Sequence, residues 1–139
     1  MIWAKNLFRP CNHPETFGVP ASFYFPMSEP TEFPRTWTNS PLACIARLVL
    51  GNKANVAMVI GQTVHLSGAT REEFLADAEW LAHERVHIRQ FREHGFVPFL
   101  WKYLVESARV GYFNNKFEVE AREGARRFMQ EQALKERPL

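Results

Sequence analysis

The spacing of apolar residues divides the chain into stretches of different character. The first 40 residues are rich in aromatics (Phe17, Phe23, Tyr24, Phe25, Phe33, Trp37) but follow no regular period. Six of the nine prolines fall there. Each proline removes a backbone donor and turns its predecessor away from helix. This segment reads as an extended arm that packs on the domain through its aromatic side chains. Residues 41–50 form an apolar run that fits a short buried helix or a strand equally well. Residues 55–67 read as a hairpin: the β-rich runs Val56–Ile60 and Thr63–Leu66 are separated by Gly61-Gln62.

A helical period begins at residue 70. Thr70 with Glu73 three residues later forms a capping box. Phe74, Leu75, Ala78, Leu81, Ile88 and Phe91 then keep one helical face, and Gly95 is placed to end it. A second helix is expected from about Pro98 to Val110, followed by a turn at Gly111–Asn115. A third runs from about Lys116 into the 130s. The expected class is α+β: a small antiparallel hairpin or sheet, then three helices, behind a Pro-rich N-terminal arm. One domain is expected over residues 1–139, with the arm at 1–40 and the core at 41–139, because 139 residues are too few for two stable cores.

Composition narrows the function classes. Formal net charge is +2, which gives no electrostatic footprint for nucleic acid. Residues 1–70 carry five basic and three acidic side chains, and the remainder carries twelve of each, interleaved. The basic series Arg122, Arg126, Arg127, Lys135, Arg137 alternates with Glu123, Glu131 and Glu136, as on a solvated helix face. Two cysteines are too few for a disulfide framework. Met1–Lys5 does not resemble a secretory leader, and no run reaches membrane-spanning length. The expected location is cytoplasmic. The apolar stretch 96–105 reads as the central helix of a small core, with a membrane- or partner-facing role as the weaker option.

The chemistry concentrates in His83-Glu84-Arg85-Val86-His87, an H-E-x-x-H sequence inside the capped helix. Residues four apart share a helix face, so both imidazoles can bind one metal ion. Glu84 is rotated by about 100° from His83, beside the open coordination position. There it can take a proton from a zinc-activated water. Zinc, one per chain, is the expected ion, and a third protein ligand is required. A glycine and a third histidine further along the same helix would supply one, but Gln90 and Glu93 occupy those positions. His94 lies too far along the helix and suits interaction with its C-terminal dipole.

The other source of a ligand is Glu118 or Glu120 on the third helix. The stripe Phe117, Ala121, Ala125, Phe128 centres nearer Glu118, and Ala121 and Ala125 allow close approach of two helices. Glu118 is therefore the chosen ligand. Glu120 reads as a solvated charge or, more pointedly, as an outer acceptor for a ligand histidine N–H, a role for which Asp77 competes. His65, in the candidate strand, and Tyr112, on the turn, are candidate donors to an oxyanion, with Tyr103 behind them. Cys11, with His13 nearby, offers a zinc-capping thiolate from the arm, although a plain reduced loop cysteine is the commoner role.

The H-E-x-x-H helix followed by Glu118-Val119-Glu120-Ala121 resembles the zincin-like metallopeptidases of the gluzincin type, and compact bacterial domains of the DUF4157-like kind. It is also similar to the E-x-x-A-D site pattern of a group of membrane-embedded zinc proteases. That pattern's glutamate falls on Glu118, and its aspartate position is taken by Arg122. The resemblance covers residues 70–128. It implies a zinc-dependent peptidase acting on a peptide or protein substrate, with an antiparallel hairpin beside the site helix. It also implies an edge strand that pairs with substrate, for which Thr63–Leu66 is the candidate. The alternative is a non-catalytic or latent zinc- or partner-binding module. An open edge and an open fourth zinc position favour the enzyme; an edge paired within the chain favours the latent form.

Overall fold

A computed structural model describes residues 2–5, 34–49 and 55–135. Most of the expected arm, including Cys11 and His13, lies outside the described residues. The elements are β1 (Ile2–Lys5), β2 (Arg35–Thr38), α1 (Pro41–Val49), β3 (Asn55–Ile60) and β4 (Thr63–Ser67). They are followed by α2 (Arg71–Ala76), α3 (Ala78–His94), α4 (Phe96–Asn114) and α5 (Lys116–Lys135). The class is α+β, as expected.

The sheet is mixed, where an antiparallel one was expected. Its order is β1-β3-β4-β2. β1 and β4 both pair antiparallel with β3. β2 runs parallel to β4, with Thr36 opposite Val64 and Thr38 opposite Leu66. The arm thus contributes both outer strands. The expected free edge at Thr63–Leu66 is corrected accordingly: β4 is an inner strand, bonded on one side by β3 and on the other by β2. The ladder continues past β2, where Ser40 N–H donates to the Leu66 carbonyl at 3.3 Å.

Side chains alternate across the strands, so the sheet has two different faces. Ala57, Val59, Val64 and Leu66 join Phe74, Trp80, Ile88, Phe91, Phe99, Tyr103 and Phe117 in the main core. His65 and Ser67 point the other way, toward α1, where Ser67 Oγ donates to Cys44 Sγ at 3.5 Å. Residues Val64 to Ser67 are buried throughout, as expected of a strand covered on both faces.

The helix expected from residue 70 to 95 is two helices. The Thr70–Glu73 capping box forms at α2. The chain then leaves helical geometry at Asp77 (φ −93°, ψ 95°), whose carboxylate accepts from Trp80 N–H at 3.0 Å and starts α3 afresh. This caps an orphan donor of the new helix. Asp77 is thereby the residue that caps α3. Gly95, at φ 78°, ends α3. α4 carries a kink at Gly111 (φ 79°, ψ 164°), shortly before α5 begins at Lys116.

α3 turns two faces inward. Trp80, Ile88 and Phe91 enter the core under the sheet. His83, Val86, His87 and Gln90, at i, i+3, i+4 and i+7, face α5. Close approach depends on small residues in α5: Ala121 and Ala125 are buried, and a Cβ built on Gly124 would stand 2.7 Å from Val86 Cγ2. Val86 is β-branched and cannot swing away freely. Gly124→Ala should therefore destabilise the fold by about 1–3 kcal/mol, overriding the roughly 0.5–1 kcal/mol that alanine normally gains over glycine inside a helix. Urea unfolding measures the balance; a more stable variant would show that the helices have room to spare.

Candidate metal centre

His83, His87 and Glu118 meet at the α3–α5 contact, each fully buried. The Nε2 atoms of the two histidines are 3.1 Å apart. His83 Nε2 is 3.4 Å from Glu118 Oε2, and His87 Nε2 is 3.4 Å from Glu118 Oε1. All three side chains offer a ligand atom within 4.8 Å of the others. Four ligands on a tetrahedral zinc, at bonds of about 2.05 Å, stand about 3.3 Å from one another. The separations between these donors are of that size, each histidine facing a different oxygen of the one carboxylate, so the donor set fits the ion.

The protonation states suit the same purpose. Burial pushes His83 down to about 4, keeping it a neutral imidazole. Burial alone would push Glu118 up, but the neighbouring His87 ring and the hydrogen bonds with His83 and His87 outweigh it. They hold the group well below the usual carboxylate range. Metal ligands must be deprotonated, and His83 and Glu118 are held in that state.

The tautomer of His87 follows from its surroundings. Gln90 Nε2 donates to the Phe117 carbonyl at 3.1 Å and to Glu120 Oε2 at 2.9 Å. That fixes the amide orientation, so Gln90 Oε1 is the atom 2.9 Å from His87 Nδ1 and must accept. His87 therefore carries a proton on Nδ1, which leaves Nε2 as the nitrogen turned to the site. Glu120 also accepts from Arg89 at 2.5 Å. It lies outside the His83–His87–Glu118 cluster and reaches His87 through Gln90. Sequence reasoning missed Gln90, although its position three residues after His87 on one helix face was a usable signal.

Glu118 is further held by Tyr103, whose hydroxyl donates to Oε1 at 2.5 Å. Tyr103 reaches it from α4, beside Phe99 and Phe117 in the core. Tyr112, one residue past the Gly111 kink, also lies against the site. Burial, the charges of Glu118 and Glu84, and a hydrogen bond with Glu118 all push its hydroxyl further up, so it stays a neutral phenol. Arg122 stacks on the Phe113 ring at 4.4 Å and donates to the Phe113 carbonyl, tying α5 to this same turn.

Glu84 is wholly buried, and neither carboxylate oxygen has a hydrogen bond of good geometry. Burial, seconded by the charge of Glu118, pushes it up to about 8. An acid so placed costs folding energy.

His65, expected near the reacting carbonyl, is elsewhere. Strand alternation puts it on the α1 face of the sheet, where Ser40 Oγ lies 2.8 Å from Nδ1 and the Trp37 ring packs at 5.4 Å. His94 ends α3 with its ring stacked on Phe99 at 5.9 Å. In the 96–105 stretch, Phe99 and Tyr103 are buried while Val97, Trp101 and Leu104 are exposed. Among the described residues no helix is long and apolar enough to cross a membrane. In comparisons with protein-family models, curated proteins and solved structures, nothing matches this chain.

Proposed function

We propose that this protein is a zinc-dependent, zincin-like metallopeptidase that hydrolyses peptide bonds. The observation carrying the reading is the closeness of His83 Nε2, His87 Nε2 and the Glu118 carboxylate, with separations of 3.1–3.4 Å and each histidine facing its own carboxylate oxygen. It stands beside a buried acid, Glu84, pushed up to about 8. Two buried carboxylates and two buried imidazoles destabilise a small core, and a functional site is the setting in which such groups persist.

When bound, zinc lowers the pKa of water toward about 7 and polarises a carbonyl group. The chain's own residues do the rest. His83, His87 and Glu118 hold the ion. Tyr103 keeps the Glu118 carboxylate in place. Glu84 takes a proton from the attacking water and returns it to the departing amine nitrogen. Tyr112, a neutral phenol bonded to Glu118 in the resting site, turns its hydroxyl to the oxygen of the reacting carbonyl.

A second reading has its own support. His83, Glu84, His87 and Glu118 are all 0% exposed, and β4 is hydrogen-bonded along both sides. A latent or non-catalytic zinc module would look this way. Zinc-loaded protein incubated with a mixture of unstructured peptides separates the two, with cleavage followed by mass spectrometry. Cleavage by the wild type that Glu84→Gln abolishes while keeping its zinc supports the peptidase. A zinc-loaded wild type that cleaves nothing supports the module.

A further inference from the structure

We propose that Gln90 is a positioning residue that sets the tautomer of His87 and thereby makes its Nε2 available to a metal ion. The inference rests on the metal-centre reading but concerns a different residue and a different observable.

A primary amide has one acceptor oxygen and one NH2 group. Gln90 is 1% exposed, so water does not compete for either. Its NH2 has two acceptors, the Phe117 carbonyl and Glu120 Oε2, and neither can donate. Flipping the amide would set its oxygen against both of them and its NH2 against a protonated Nδ1. One orientation is therefore strongly preferred, and with it one imidazole tautomer. Glu120 reinforces the choice, since it is itself held by Arg89 at 2.5 Å. Arg89, Glu120 and Gln90 thus form a chain of donors and acceptors ending on His87. Because Arg89 and Gln90 lie on α3 and Glu120 and Phe117 on α5, the chain also joins the two helices that bring the ligands together. A metal-ligating histidine needs its other nitrogen fixed in this way, and losing such a partner weakens metal binding by about 10- to 100-fold.

The test separates acceptor chemistry from packing. Gln90→Met keeps the volume and removes the acceptor. Gln90→Glu keeps an acceptor for Nδ1 and loses both donated bonds. The tautomer of His87 is read in metal-free protein from its ring nitrogen shifts by NMR, and zinc affinity from competition with a chromogenic chelator. The wild type should show a protonated Nδ1. Gln90→Met should lose that preference and bind zinc about 10- to 100-fold more weakly. Gln90→Glu should keep the tautomer and stay much closer to wild-type affinity than Gln90→Met. Glu120→Ala, at a half-buried position that leaves the core intact, should weaken binding by several-fold and serves if Gln90→Met does not fold. A wild-type tautomer and affinity in Gln90→Met would overturn the proposal. So would equal losses in Gln90→Met and Gln90→Glu, which would make packing the cause. Absence of zinc binding by the wild type is a separate result: it defeats the metal-centre reading, while the NMR measurement still decides the tautomer.

Discussion

Glu84→Gln should remove peptide hydrolysis and, in metal-free protein, make the fold more stable at alkaline pH. Both effects come from one cause. Glu84 is wholly buried and its folded value is pushed from the ordinary 4.5 up to about 8. An acid raised on folding holds more protons in the folded state than in the unfolded one. Stability therefore falls as pH rises past 4.5 and levels off only beyond about 8. The full loss corresponds to about 5 kcal/mol at roughly 1.4 kcal/mol per unit. Glutamine carries no charge and escapes it. Unfolding of chelator-treated wild type and variant should coincide near pH 4.5 and diverge toward pH 8, with the variant the more stable. Parallel curves would mean that Glu84 is solvated and not the buried acid described above. In zinc-loaded protein, loss of the proton carrier should cut hydrolysis by about 10²- to 10⁴-fold with no loss of zinc. A gain in stability paired with a loss of activity is the usual signature of a residue retained for chemistry.

The second large effect concerns the ligands. Zinc that binds only the folded chain stabilises it, by about 4 kcal/mol when free zinc stands at a thousand times its dissociation constant. Thermal unfolding of the wild type should shift upward on adding zinc and return on adding a chelator. His83→Ala, His87→Ala and Glu118→Ala each remove one of three ligands, and their midpoints should not respond to zinc. A zinc response retained by all three would place the ion elsewhere.

Much of this site was legible in the sequence because it depends on local geometry. His83 and His87 share a helix face by spacing alone, and the apolar stripe of α5 orients Glu118 toward the same seam. What escaped depends on contacts between distant segments. The pairing that covers β4 comes from four residues, Arg35–Thr38, lying 28 positions upstream of their partners. Nothing within Thr63–Leu66 reveals that partner, and so the strand read as an edge. His65 was misplaced for a related reason: alternation fixes which residues share a face, but not which face meets α3. The break at Asp77 was closer to hand. An aspartate three residues before Trp80 is a capping signal of its own, masked by an apolar period that continues across it. Tyr103 and Tyr112 were both named as donors, and both lie against Glu118. Gln90 went unnoticed because an amide on a helix reads as ordinary polar surface until its three partners are in view.

The account rests on Glu118 as the third ligand, with Glu120 holding Gln90 instead. Zinc content by mass spectrometry, measured on purified wild type, Glu118→Ala and Glu120→Ala after zinc loading and removal of excess, tests this most directly. The expected result is about one zinc per chain in the wild type and in Glu120→Ala, and none in Glu118→Ala. A wild type that carries no zinc after loading, or a Glu118→Ala variant that keeps it, would contradict the account.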